Sequence, residues 1–168
     1  MWRSLSRRTS LVVAVASAAT LAMSANAAVA APFHLELPAG TACTFGLAVD
    51  GTGGDRRVTH TFKDADGNVV RTLTTGRGSQ LTFTNRSSNA TLALRANGAV
   101  ENTVSNADGT RTVTLTGHNV LILFPSDVPA GPSTTLYVGR VVYTVGTDDV
   151  FTLVSTSGTA TDICAALS

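Results

Sequence analysis

Few residues of this chain have types and spacing that could do chemistry, and they are scattered. Asp64-Ala65-Asp66-Gly67-Asn68 sets oxygen-bearing side chains at alternate positions, the opening pattern of a calcium loop. A complete loop of that kind needs a glutamate at its twelfth position, and counting from Asp64 that position is Thr75. The same residues also describe a tight turn, so no metal site is assigned. His34, His60 and His118 lie at no metal-ligand spacing, and only His118 stands among turn residues, in Gly117-His118-Asn119. Processing in front of Pro32 would place His34 third from a free amine and offer copper(II) a square-planar nitrogen set. A start at Ala31 is more favourable and puts His34 fourth.

Catalytic patterns are missing from the sequence. No serine stands in G-x-S-x-G, and there is no H-E-x-x-H. Asp148-Asp149 falls in an expected turn, and Glu36 and Glu101 are the only glutamates, so no glycosidase carboxylate pair can be singled out. No catalytic residue and no cofactor is assigned. Cys43 and Cys164 are the only cysteines, with no C-x-x-C and no neighbouring histidine. In an oxidising compartment they pair, closing a loop of about 120 residues worth about 4–5 kcal/mol in the chain-entropy model.

For binding, the aromatic residues are the first candidates. Phe45, Phe62, Phe83, Phe124, Phe151 and Tyr143 fall on apolar alternations and are assigned to the core, which leaves Phe33 and Tyr137 for the surface. Tyr137, with Pro125, Pro129 and Pro132 of a proline-rich loop over 125–132, is the candidate ligand surface. Asn85-Arg86-Ser87 and Asn89-Ala90-Thr91 fit the glycosylation pattern and also read as a loop.

The first thirty residues differ from the rest. Arg3, Arg7 and Arg8 precede the apolar stretch Leu11–Met23, and Ala25-Asn26-Ala27 and Ala28-Val29-Ala30 offer small-residue cleavage sites. This is the order of a secretory signal peptide over 1–30. As a helix the apolar stretch rises only about 20 Å, short of the ~30 Å hydrocarbon core, so no stable membrane anchor remains after cleavage. Ser6-Arg7-Arg8-Thr9-Ser10-Leu11 resembles a twin-arginine signal with Ser10 in place of a large apolar residue, which leaves the export route open. The net charge of +1 over 168 residues belongs to this leader; residues 31–168 carry 9 basic and 11 acidic side chains and no tryptophan. That balance, with Arg56-Arg57 the only basic pair, excludes a strongly basic nucleic-acid binder. The 43% hydrophobic content argues against whole-chain disorder.

The elements that must position these residues are strands. Phe33, Leu35 and Leu37 alternate with His34 and Glu36, and period two recurs at Thr41–Val49, Leu81–Phe83, Leu92–Leu94 and Val141–Val145. Threonine supplies 24 of residues 31–168, a branched side chain suited to outward strand positions. Asn119–Phe124 is apolar on both faces and reads as a central strand. The count is about nine or ten strands in one domain over 31–168: an all-β antiparallel sandwich, with a closed β-barrel as the alternative.

An internal repeat runs through the strands. Val58–Thr74 aligns without a gap on Val100–Thr116, forty-two residues on, with eight identities in 17 positions. Leu81–Asn85 then resembles Leu121–Pro125, and Thr91-Leu92 resembles Thr135-Leu136. Each copy opens on a hairpin in which Asp64 or Asn106 begins a type I turn and Gly67 or Gly109 takes positive φ. Two similar four-stranded units facing each other would form the two layers.

Cys43 near the mature start, the turn after Leu81-Thr82-Phe83-Thr84-Asn85, and the ending Asp162-Ile163-Cys164-Ala165-Ala166-Leu167 together give the chain a resemblance. It resembles small secreted proteins of actinobacteria that lack an assigned function. The resemblance implies a secreted, disulfide-closed domain and brings no activity with it. The expectation is therefore a non-catalytic extracellular module binding an envelope polysaccharide or another exported protein. A small hydrolase with a loop-assembled site and a structural envelope component pairing through a strand edge are the alternatives.

Overall fold

The structure is a computed structural model that describes residues 32–53, 57–95 and 98–168. The signal-peptide assignment over 1–30 lies outside the described residues. The strands in chain order are β1 (Phe33–Leu37), β2 (Leu47–Gly53), β3 (Arg57–Lys63), β4 (Val69–Arg77), β5 (Ser79–Asn85), β6 (Thr91–Leu94), β7 (Gly98–Ser105), β8 (Arg111–Leu123), β9 (Ser133–Val145) and β10 (Phe151–Asp162). A one-turn helix, α1 (Ile163–Ala166), follows. They form two antiparallel sheets, a four-stranded one ordered β1-β2-β5-β6 and a six-stranded one ordered β10-β9-β8-β7-β4-β3. Both sheets keep free edges, so the architecture is a sandwich and not a closed barrel.

Both repeated hairpins form as the turn chemistry requires. In the β3–β4 turn, Gly67 N–H donates to the Asp64 carbonyl at 3.2 Å. The N–H groups of Asp66 and Asn68 donate to Asp64 Oδ1 at 3.0 and 2.8 Å. In the β7–β8 turn, Gly109 N–H donates to the Asn106 carbonyl at 3.1 Å, and Gly67 and Gly109 hold φ of +87° and +85°. The turn expected at Asp148-Asp149 is a third of the same kind, a kinship not read from the sequence. In the β9–β10 turn, Asp149 N–H donates to the Gly146 carbonyl at 3.2 Å, with Asp149 itself at φ +62°. Its signal was hidden because an aspartate stands where the other two turns have glycine.

The repeats do not face each other as layers. Their hairpins lie side by side in the six-stranded sheet, β4 pairing with β7, and the third hairpin adds β9 and β10. The copies diverge after their second strand. β4 ends at Arg77 and the chain crosses at Gly78 into the four-stranded sheet as β5, whereas β8 runs on unbroken for 13 residues.

One register row explains how so long a sheet closes a core. Arg57, Gly76, Ala99, Gly117, Gly139 and Gly158 are successive cross-strand partners from β3 to β10. The four glycines hold φ of +143°, +99°, +146° and +94°. Gly117 and Gly139 are the midpoints of β8 and β9. The strands fold there. Straight, the rise from Arg111 to Leu123 would be about 40 Å. Yet Val128, five residues past Leu123 and so within ~18 Å of it, hydrogen-bonds the start of β10, which lies two strands from Arg111. Val128 N–H donates to the Phe151 carbonyl at 2.8 Å and Leu153 N–H to the Val128 carbonyl at 2.7 Å.

The fold creates two cores. The first joins Leu47, Val49 and Phe83 of the four-stranded sheet to Val120, Ile122 and Leu136 on the far halves of β8 and β9. The second joins Leu121 and Leu123 to Val113, Leu115, Val141 and Val145 on the near halves. The far half of β8 is thus covered on both sides, as the two-sided apolar stretch 119–124 requires. Thr41–Phe45, alternating in sequence, is not strand but a bent segment in which Ala42 and Cys43 are both buried. It carries the Cys43–Cys164 disulfide, with Cα atoms 5.6 Å apart. Ile163 and Leu167 fill the first core beside it.

Candidate functional site

The cavity with the most chemistry around it opens where the crease meets the four-stranded sheet. Its volume is about 210 Å³. The floor is aliphatic: Leu81 of β5, Leu94 of β6, Val120 of β8 and Leu136 of β9, all at the margin of the first core. Gly76, Gly78 and Ala99, on the strands turning past the crease, bring no bulky side chain to fill the angle. The space is a consequence of the small residues that let the sheet bend.

Arg57, Arg95, His118 and Asn119 line the same cavity. Arg57 begins β3 at the head of the crease row, and its Nη2 donates to Glu101 Oε2 at 3.3 Å. Arg95 follows β6 and has no carboxylate partner among the described residues. Asn119 follows the crease by two residues on β8, and its Nδ2 is shielded from solvent with no hydrogen-bond partner among the described residues. Asn119 is paired with Tyr137 on the face of β8 opposite Val120 and Leu136, so its side chain lies on the second-core side and not over the aliphatic floor. The arrangement can hold a small group that is anionic at one end and apolar at the other. Two arginine forks supply donors, and among the described residues the carboxylate that meets them is Glu101, on Arg57.

None of these residues was singled out as a ligand in the sequence. Their positions are spread over β3, the residue after β6, and β8, and only the bend brings them together. The one available signal was misread: Gly117-His118-Asn119 looks like a turn and is instead the interior of β8 at the crease. The glycine there bends the strand without ending it.

The residues expected to bind fall elsewhere. Tyr137 is half-buried and packs against the second core, so it is not an exposed platform. It lies opposite Asn119 in the β8–β9 ladder, and the crease folds its ring inward. Pro125 and Pro129 are exposed and Pro132 is half-buried, on a loop tied to β10 by Asp127. The Asp127 carboxylate is buried and accepts from Phe124 N–H at 2.7 Å and Phe151 N–H at 2.9 Å. The loop covers part of the β10 edge, and the structure does not bring these prolines and Tyr137 to the cavity.

Other candidates resolve into structural roles. Both oxygens of Asp64 accept hydrogen bonds from its own turn, Oδ2 from Asn68 Nδ2 at 3.1 Å. His34 has both ring nitrogens on carboxylates, Nδ1 on Asp50 at 2.7 Å and Nε2 on Glu36 at 3.0 Å. Glu36 also meets Arg86 at 3.2 Å. Neither nitrogen is free to relay a nucleophile's proton or to bind copper while this network holds. Asn85 is buried, its Nδ2 donating to the Leu167 carbonyl at 2.9 Å, so its glycosylation pattern is inaccessible in the folded chain; Asn89 is exposed.

Phe62 and Phe124, assigned to the core from their alternation, are exposed at 42% and 39%. Phe62 lies on β3, a strand exposed along its whole length at the free edge of the six-stranded sheet. Its ring is instead covered by the Arg71 guanidinium, 4.3 Å from the centroid. Comparison of the chain with protein-family models, curated proteins and solved structures finds no match.

Proposed function

We propose that the protein is exported and works outside the cell as a non-catalytic binding module for an envelope polymer or another exported protein. The observation that carries this reading is the creased cavity, an aliphatic floor bordered by two arginines. Its volume of about 210 Å³ is smaller than the ~300–1,000 Å³ of drug-sized sites, which suits one side group or chain end of a larger target. The disulfide supports an oxidising compartment, and the leader and the resemblance to small secreted actinobacterial proteins point the same way. Co-sedimentation of the oxidised protein with purified cell walls, chitin and cellulose, across salt concentrations, tests the reading. Saturable binding to one polymer, or capture of a partner from culture supernatant that a cavity variant loses, is expected. Binding to neither would sink it.

A second reading rests on β3, whose seven residues are all exposed along a free sheet edge. An envelope component pairing through that edge would associate with rising concentration in analytical sedimentation.

A further inference from the structure

We infer that the creased cavity takes a small aliphatic carboxylate, its hydrocarbon body on the leucine and valine floor and its carboxylate toward Arg57 and Arg95. The inference rests on the binding-module reading and names the chemistry of its ligand. Three observations choose this class. The charged donors around the cavity are two guanidinium groups, whose planar forks match a planar two-oxygen anion. The floor is Leu81, Leu94, Val120 and Leu136, so a bare inorganic anion would leave it uncovered. The lining holds no phenylalanine, tyrosine or tryptophan ring on which a sugar face could stack.

Size narrows the class further. At about 210 Å³ the cavity lies below the ~300–1,000 Å³ of drug-sized sites, so the group that enters it is small. A branched short-chain acid, or the terminal residue of a peptide ending in a small aliphatic side chain, meets that limit. Arg57 already holds Glu101 at 3.3 Å, so Arg95 is the cation with least competition.

The experiment is a nuclear magnetic resonance titration of the purified oxidised protein with isovalerate. Its neutral counterpart 3-methylbutan-1-ol, inorganic phosphate and glucuronate are run in parallel. Isovalerate is expected to shift the Leu81, Leu94 and Val120 methyls saturably. The alcohol, with the same body and no charge, should bind at least about tenfold more weakly, the lower end for a lost charge-assisted hydrogen bond. Arg95→Gln, at an exposed position, should weaken isovalerate by a similar factor and leave the circular dichroism spectrum unchanged. If that variant failed to fold, the acid-against-alcohol comparison on the unaltered protein would still decide. Equal affinity for acid and alcohol, or shifts confined to other surfaces, would overturn the inference. So would tighter binding of phosphate or glucuronate at the same cavity. Polymer co-sedimentation that isovalerate cannot compete would refute this ligand and leave the module reading standing. Isovalerate binding without any polymer or protein partner would do the reverse.

Discussion

His34 is the residue whose environment makes the sharpest chemical statement. Hydrogen bonds to Asp50 first, then to Glu36, raise its pKa above the usual histidine range, because both ring nitrogens can donate only when the imidazole is protonated. The contribution of these bonds is therefore present below pH ~6.5 and is lost as pH rises through the raised folded value. Ring-proton titration should report an upward shift for His34, and Asp50→Asn should move it back toward the ordinary value. An unshifted His34 in the unaltered protein would refute the network. Asp149 carries a second prediction. It holds φ +62° where the sister turns have glycine, a conformation costing a residue with a Cβ about 1 kcal/mol. Its exposed pair with Arg111, at 3.4 Å, is worth only a few tenths of a kcal/mol. Backbone relief outweighs the ion pair, so Asp149→Gly should stabilise by about 0.5–1 kcal/mol in urea denaturation. A loss of stability would show that the pair matters more than the turn.

At the scale of the element, the crease is the defining device. A β-sheet twists but does not fold sharply along a line unless backbones there can approach closely, and a row of glycines permits that. A methyl group built on Gly139 falls onto the Ser157 carbonyl oxygen, and one on Gly158 onto the Val138 carbonyl oxygen. Both neighbours are backbone and cannot swing aside. Gly139→Ala should therefore cost about 3 kcal/mol or more, combining overpacking with an unfavourable φ. The cavity should open with it, so the Val120 and Leu136 methyl signals should change alongside the denaturation midpoint. A tolerated alanine would mean that the sheet bends elsewhere. The same element scale accounts for the edges. The Asp127-anchored loop lays Val128 along β10, where a bulge between Leu153 and Ser155 further interrupts the edge, while β3 stays open. Of the two ends of the sheet, only β3 remains available for pairing over its full length.

Across the described residues, the bent segment around Cys43 and the C-terminal turn meet in the first core. Cys43 and Cys164 are separated by 121 residues, and Asp162 caps the short helix by accepting from Ala165 N–H at 3.0 Å. Thr134, fully buried, donates to the Ala42 carbonyl at 2.9 Å and ties β9 to the same corner. Replacing both cysteines with alanine should lower stability by about 3–5 kcal/mol, chiefly by freeing the unfolded chain. Reductant should bring the unaltered protein close to the same urea midpoint. A midpoint unchanged by either treatment would refute the staple. Phe83, fully buried at the centre of that core, gives a reference loss of about 3–5 kcal/mol on truncation to alanine.

The sequence by itself determined the local features of this protein. Period-two alternation and threonine content gave the strands, Asp64–Asn68 and Asn106–Thr110 gave two hairpins, and two lone cysteines gave the disulfide. These features depend on a few adjacent residues or on an unambiguous pairing, so they are legible without the fold. Alternation misled where no second layer lies among the described residues: Phe62 has the pattern of a core residue on a strand exposed along its whole length. The tertiary structure alone decided the layering and the site. Gly76, Gly117, Gly139 and Gly158 read singly as turn or bulge residues, and only the register of six strands aligns them into one fold line. That line converts Arg57, Arg95, His118 and Asn119, distant in sequence, into the lining of one cavity, and turns Tyr137 into a core residue. Register depends on hydrogen bonds between residues far apart in the chain, a non-local quantity that a single sequence does not display.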